Sequence, residues 1–235
     1  TKGPAPALVS AKKRGAVQMG VVLTHCSFVF GAILLKSSMK EIDEGRGEVF
    51  NPIVYAFYRE ASAAPLLFLL SVLTVGYRLP LRKDAMSVFF LGFFMFVSQL
   101  LYIMGVDMAG VLMASCVQPS VPVFTVMIGV MLGAEKGSMR KVIGIMFAVV
   151  GAISMVVGSV GGAEASGGNL LLGDLCILVN ALAMAAYYLL AKKLVTNYSA
   201  VHVAAWAYVV AAMLMGMAAM LWTVPTDWVF PQSMV

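Results

Sequence analysis

Apolar residues run along this chain in seven long stretches, each bounded by a short polar gap. The stretches cover roughly 16–39, 52–76, 85–106, 111–133, 141–161, 170–192 and 200–222. A helix of that length crosses the hydrocarbon of a bilayer, about 30 Å thick. The pattern therefore predicts an all-α, polytopic helix bundle, with gaps too short to hold a soluble domain.

The charges in the gaps give the bundle an orientation. Lys12, Lys13, Arg14, Arg78, Arg82, Lys83, Lys136, Arg140, Lys141, Lys192 and Lys193 share one side, against Asp84 and Glu135. The other side carries Lys40 and Arg46 against Glu41, Asp43, Glu44, Glu48, Asp107, Glu164 and Asp227. The positive-inside rule then puts the N-terminus in the cytosol. The net charge of +5 follows from this topology and from contact with anionic lipid, and no nucleic-acid partner is expected.

Composition agrees, with 61% hydrophobic and 11% charged residues and a mean hydropathy of +0.94. Cys26, Cys116 and Cys176 all fall inside predicted spans, so neither disulfides nor a metal site is expected, and no cofactor motif appears. Residues 1–15 read as a flexible cytosolic tail, basic and free of acids in the manner of a transit peptide, and 223–235 as a loop. With no initiator methionine and an end soon after the seventh span, the chain reads as a fragment.

Two spans look alike. Span one carries Ile33-Leu34-Leu35-Lys36 near its end and span six closes on Leu189-Leu190-Ala191-Lys192-Lys193. Five spans separate their starts, so the two run in opposite directions across the membrane. A tandem repeat of an odd-numbered unit must be inverted, an architecture that recurs in secondary transporters with the site between the repeats near the midplane. The repeats would be 16–161, with five spans, and 170–222, with two.

Helical spacing then picks out polar groups facing protein. On span four, Ala114, Gln118, Pro122, Thr125 and Gly129 form one stripe. Pro119 and Pro122 remove the donors that would reach the carbonyls of Ser115 and Gln118, which predicts a kink and two carbonyls in need of partners. Gln118 is a candidate solute contact, or else a packing residue satisfied by a neighbouring helix. Span three sets Ser98, Tyr102 and Gly105 on one stripe beside Gln99, and span six sets Asn180, Met184 and Tyr187 on another. Gln99, Tyr102, Asn180 and Tyr187 are candidate solute contacts on the same terms, since interhelical hydrogen bonds alone would also account for them.

Span two holds adjacent charges. Neighbours at i and i+1 do not face each other on a helix, so Arg59, on a face with Tyr55 and Ser62, and Glu60, on a face with Ala56 and Ala64, are each expected to find a separate partner. Intramembrane charges are functional candidates by default. Arg59 could attract a solute carboxylate or snorkel to headgroups, and Glu60 is a candidate for proton coupling. His25 on span one is a second proton-coupling candidate or a structural donor. His202 lies near the cytosolic end of span seven, where an interfacial role suits it. Gly144, Ala148 and Ala152 on span five make a small-residue ridge suited to helix contact.

Other classes fit less well. A seven-helix receptor carries its N-terminus outside, a retinal protein needs a lysine in the last span, and no hydrolase tract is present. An enzyme is not expected.

The stretch from Gly110 through Ser115-Cys116-Val117-Gln118-Pro119 to Phe124, then Leu132-Gly133-Ala134-Glu135, Gly144 and Gly151, resembles the end of an EamA domain of the drug/metabolite transporter superfamily. Gly173-Asp174 through Tyr187 to Lys192-Lys193 resembles the opening of a second such domain. Tyr58-Arg59 through Pro65 is most similar to the plant nodulin-like branch, whose members include amino-acid exporters. The resemblance implies ten helices in two inverted five-helix repeats, of which the second is truncated here. It also implies transport of a small polar metabolite by alternating access, with an amino acid as one possibility and the bilayer as environment. A nucleotide-sugar or sugar-phosphate exchanger of the same superfamily is the alternative, although such substrates favour several intramembrane cations and Arg59 stands nearly alone.

Overall fold

A computed structural model describes residues 51–76, 79–133 and 169–224, together with single positions between 139 and 154 and at 228. These residues form five helices: α1 Pro52–Val75, α2 Ala85–Val117, α3 Val121–Met131, α4 Asn169–Leu194 and α5 Ala200–Trp222. No strand occurs among the described residues. Spans one and five, the N-terminal tail, most of the C-terminal loop and His25 lie outside the described residues, apart from single helical positions of span five. The comparison of span one with span six that would reveal an inverted repeat lies outside them too.

Local chemistry sets the ends of these helices. The Asn51 side chain accepts from the Ile53 amide at 3.0 Å and Pro52 takes the first helical position, so α1 starts with both of its usual signals. It stops at Gly76, whose φ of 90° suits a residue without Cβ. A short 3-10 turn, Arg82–Asp84, leads into α2. The Ser199 hydroxyl caps α5 through the Val201 amide at 3.3 Å. Lys192 and Lys193 end α4, where cations favour the carbonyl end of the dipole.

The predicted third and fourth spans meet at a sharper boundary than the polar gap implied. Helical hydrogen bonding continues through Ala85–Val117, but Gly110 has φ 85° and ψ 162°, values that no helix interior holds. The break therefore rests on one glycine and not on a loop. Beyond it the chain tightens into a 3-10 turn at Gln118–Ser120 before α3 begins. The Gln118 carbonyl, deprived of a donor by Pro122, accepts from the Val121 amide instead. That carbonyl thus finds its partner within the protein, in the turn itself.

Helix α2 packs against α4 and α5, α1 against α5, and α3 against α4. Small residues make the close approaches. A Cβ on Gly173 of α4 would lie 2.7 Å from the Met108 Cβ and 2.8 Å from the Ala109 nitrogen, and one on Gly105 would lie 2.5 Å from Ile177. Gly216 of α5 similarly receives the ring of Phe57. By contrast, Gly144 meets nothing within 4 Å, so it makes no helix contact in the described structure. Val88, Leu91, Met95, Tyr187, Leu194, Val203 and Trp206 close an apolar core toward one end of the bundle.

Outward faces are as apolar as the core. Leu66, Leu69, Leu70 and Leu73 of α1 and Met213, Met217, Met220 and Leu221 of α5 are exposed. In water such faces would be a liability, whereas in lipid they cost nothing. Pro52–Leu73, Arg82–Gly110, Leu170–Leu194 and Ala200–Trp222 are long and apolar enough to cross a membrane.

Candidate functional site

The polar interior is assembled on α1 and α2. Val54, Ala56, Glu60 and Ala64 are buried and the last three recur every fourth residue, so Glu60 occupies the buried face of α1 and is 0% exposed. Arg59, one position back, projects to the side, and its side chain remains 37% exposed. On α2 the stripe Leu91, Met95, Ser98, Tyr102 and Val106 is buried, and Gln99 lies at its edge, half-buried.

The helices bring these side chains together. The Arg59 guanidinium donates through Nη2 to Gln99 Oε1, which joins α1 to α2 by a charge-assisted hydrogen bond. The same Nη2 lies 3.6 Å from Glu60 Oε1. Separate partners were expected for these two neighbours, and the structure corrects that. Backbone directions do diverge between i and i+1, but the long arginine side chain reaches back across the divergence.

Glu60 is otherwise bare, for neither carboxylate oxygen has a hydrogen-bond partner among the described residues. Tyr102 lies within electrostatic reach of Arg59, and Tyr208 of α5 within reach of both Arg59 and Glu60. Tyr208 was not among the sequence candidates. Its signal was available, since it sits in mid-span with Ala204 and Ala205 before it and Ala211 and Ala212 after it.

Other candidates take different places. Asn180 of α4 accepts at Oδ1 from the Ser98 hydroxyl at 2.6 Å, deep in the α2–α4 seam, while its Nδ2 has no partner among the described residues. Tyr187 packs into the apolar core and meets Tyr188 edge-on with ring centroids 5.5 Å apart. Gln118 is half-buried at the head of the 3-10 turn that contains Pro119, and Pro122 follows at the second position of α3. The Thr125 hydroxyl turns back to the Val121 carbonyl at 2.8 Å, spending itself within its own helix. So Arg59, Glu60, Gln99, Tyr102 and Tyr208 form one group, and Asn180 and Tyr187 belong to packing seams.

The two ends of the bundle are tied differently. At one end the Tyr198 phenol donates to Asp84 Oδ2 at 2.7 Å and accepts from the Leu81 amide at 3.1 Å. His202, expected at an interface, is buried with Nε2 2.9 Å from the Gly76 carbonyl, which makes it a tie between α1 and α5. At the other end Tyr58 donates to the Trp228 carbonyl at 3.1 Å, and Phe57 and Tyr58 both meet the Trp228 ring edge-on. Aromatic side chains of this kind suit a membrane–water boundary.

No group of histidine, cysteine and carboxylate side chains able to hold a metal occurs among the described residues. What the Arg59 group offers is a planar cation, a buried acid, an amide and two phenols, a set suited to holding a small polar molecule within a bundle.

No solved structure matches the chain. Residues 42–157 match the EamA-like transporter family, a stretch that takes in α1, α2 and α3 and therefore Arg59, Glu60, Gln99, Tyr102 and Gln118. Together with four apolar helices of membrane-spanning length, two inside the matched stretch and two beyond it, that match supports an integral, multi-pass membrane protein whose residues 42–157 are similar to the EamA-like transporter family.

Proposed function

We propose that the protein moves small, carboxylate-bearing polar metabolites, amino acids among them, through the helix bundle by alternating access, with Arg59 as the carboxylate contact. The observation that carries this reading is the Arg59–Gln99 hydrogen bond. An arginine that merely anchored a helix would extend to headgroups, whereas here the guanidinium is drawn inward to a glutamine of the next helix. Gln99 thereby holds the fork in place, and Tyr102 lies close to the same charge. The likeness of Tyr58-Arg59 through Pro65 to the nodulin-like branch supports the amino-acid class.

Among the described residues Arg59 is the one cation inside a helix away from its ends, which suits a single carboxylate better than a diphosphate and favours this reading over the nucleotide-sugar alternative. A radiolabelled uptake and efflux screen on the full-length protein in proteoliposomes tests it, comparing amino acids, other monocarboxylates and nucleotide sugars. Carboxylate solutes should be carried and lose rate when Gln99 or Tyr102 is truncated. Transport confined to nucleotide sugars, or transport indifferent to Arg59, would reject it.

A further inference from the structure

Glu60 is the charged member of the Arg59 group that solute binding leaves without a task. Its carboxylate is wholly buried, neither oxygen receives a hydrogen bond among the described residues, and its ion contact is the Arg59 Nη2 at 3.6 Å. That nitrogen is already committed to Gln99.

We propose that Glu60 is a proton-binding site coupled to solute through Arg59: when a solute carboxylate takes the guanidinium, a proton from the water joins Glu60, and solute and proton are carried together. The inference rests on Arg59 being the carboxylate contact. With the site empty, Arg59 and Glu60 sum to zero. An arriving carboxylate that brings no ammonium of its own adds a negative charge to a buried place that holds one cation, and two carboxylates sharing one site cannot both stay ionised cheaply. A solute carboxylate can form two hydrogen bonds with the arginine fork, whereas Glu60 meets it through one contact of 3.6 Å. Glu60 is therefore the carboxylate that yields.

Among the described residues, the titratable and charged groups facing Glu60 do not offer another route to neutrality. Arg59 on its own helix is the cation. From α5 it faces Tyr208, which carries no positive charge. Tyr102 of α2 lies toward Arg59, and Tyr188 of α4 toward Tyr208. His202 is occupied with the Gly76 carbonyl at the end of the bundle. Among the described residues, a proton on a Glu60 oxygen is the remaining way to keep the loaded site neutral. In the transfer the guanidinium keeps its charge, the solute stays ionised and the new O–H bond forms on Glu60.

Infrared spectroscopy of the full-length protein in nanodiscs tests this without requiring transport. Arg59→Gln imitates a guanidinium drawn away from Glu60. At mildly alkaline pH its protonated-carboxyl band should exceed that of the wild type several-fold and vanish in Arg59→Gln/Glu60→Gln. Propionate added to the wild type should raise the same band and draw about one proton per chain from a weakly buffered solution. Should Arg59→Gln fail to fold, the propionate titration of wild type against Glu60→Gln decides by itself. A folded Arg59→Gln with no new band, a Glu60 band already full in the unloaded wild type, or propionate bound without proton uptake would each overturn the coupling. Those failures differ from failure of the transport reading, which would appear as absent solute flux with the Arg59→Gln band intact.

Discussion

Ser98 and Asn180 share a hydrogen bond of 2.6 Å that lies wholly inside the seam between α2 and α4. Both residues are nearly inaccessible, at 3% and 2% exposed, so the bond exchanges with neither lipid nor water. Hydrogen bonds of this kind between membrane helices are worth about 0.6 to 2 kcal/mol. A double-mutant cycle of Ser98→Ala and Asn180→Ala, read by unfolding in mixed micelles, should return a coupling within that range. A coupling of zero would mean that the bond contributes nothing to joining the helices.

The same seam depends on glycines. An alanine methyl at position 173 would collide with both side chain and backbone of α2, at 2.7 and 2.8 Å. Overpacking of this sort costs about 1 to 3 kcal/mol. Gly173→Ala should therefore lower thermal stability and cell accumulation, while Gly144→Ala, with nothing within 4 Å, should leave both unchanged. Equal behaviour of the two variants would contradict the packing described for α4.

Much of this architecture is legible in the sequence because lipid imposes a simple rule on composition. The predicted spans at 52–76, 170–192 and 200–222 differ from α1, α4 and α5 by two residues at most, since Asn51-Pro52 and Ser199 mark where apolar runs can begin as helices. The break at Gly110 is harder to see, because its cause is a single backbone angle and not a polar loop. For the site, spacing identifies Arg59, Glu60, Gln99 and Tyr102 one by one but cannot pair them. Pairing depends on the register between helices, which side-chain periodicity within one helix does not contain. Arg59 reaching Glu60 shows the same limit from the other side, since a rule about Cβ directions says little of where a long, flexible side chain ends. Tyr208 carries a signal in its alanine surroundings, but what sets it within reach of Arg59 and Glu60 is again the register between helices and not the pattern within α5.

Tyr198 supplies a pH test outside the membrane-spanning helices. The Leu81 amide, the largest single influence, lowers its pKa by donating to the phenolic oxygen, but desolvation and the Asp84 carboxylate together outweigh it, and the net displacement is upward. A phenol whose folded pKa exceeds the unfolded value of about 10 favours the folded state below that pH and loses the contribution as pH rises through the folded value. The melting temperature of the wild type should thus exceed that of Tyr198→Phe near neutrality, and the gap should close at strongly alkaline pH. A gap that stays constant across this range would remove the phenol's hydrogen bond to Asp84 from the account.

Charge asymmetry in the gaps makes a separate prediction about orientation. Gly47→Cys and Glu164→Cys should react with an impermeant thiol reagent in intact cells bearing the protein at their surface, whereas Ser138→Cys should not. Labelling of Ser138→Cys alone would invert the assignment, and the acidic gaps would then face the cytosol.

Arg59→Lys separates a cation that binds solute from one that holds two helices together. Lysine keeps the charge beside Glu60 and can still donate to Gln99, so a purely structural role should survive the change with expression and melting temperature intact. It loses the planar fork that grips a carboxylate through two parallel hydrogen bonds. A binding role predicts that Arg59→Lys weakens apparent affinity for carboxylate solutes about tenfold, the scale of one charge-assisted hydrogen bond of roughly 1.5 kcal/mol. Arg59→Gln should weaken it further, since the attraction itself is gone, while solutes carrying an amine and no carboxylate should be spared by both. The comparison is made by solute competition in proteoliposomes at matched protein density. Wild-type affinity for carboxylates in Arg59→Lys, or an equal loss for amines and carboxylates, would return Arg59 to the role of a tie between α1 and α2, and the carboxylate site would have to be sought elsewhere in the bundle.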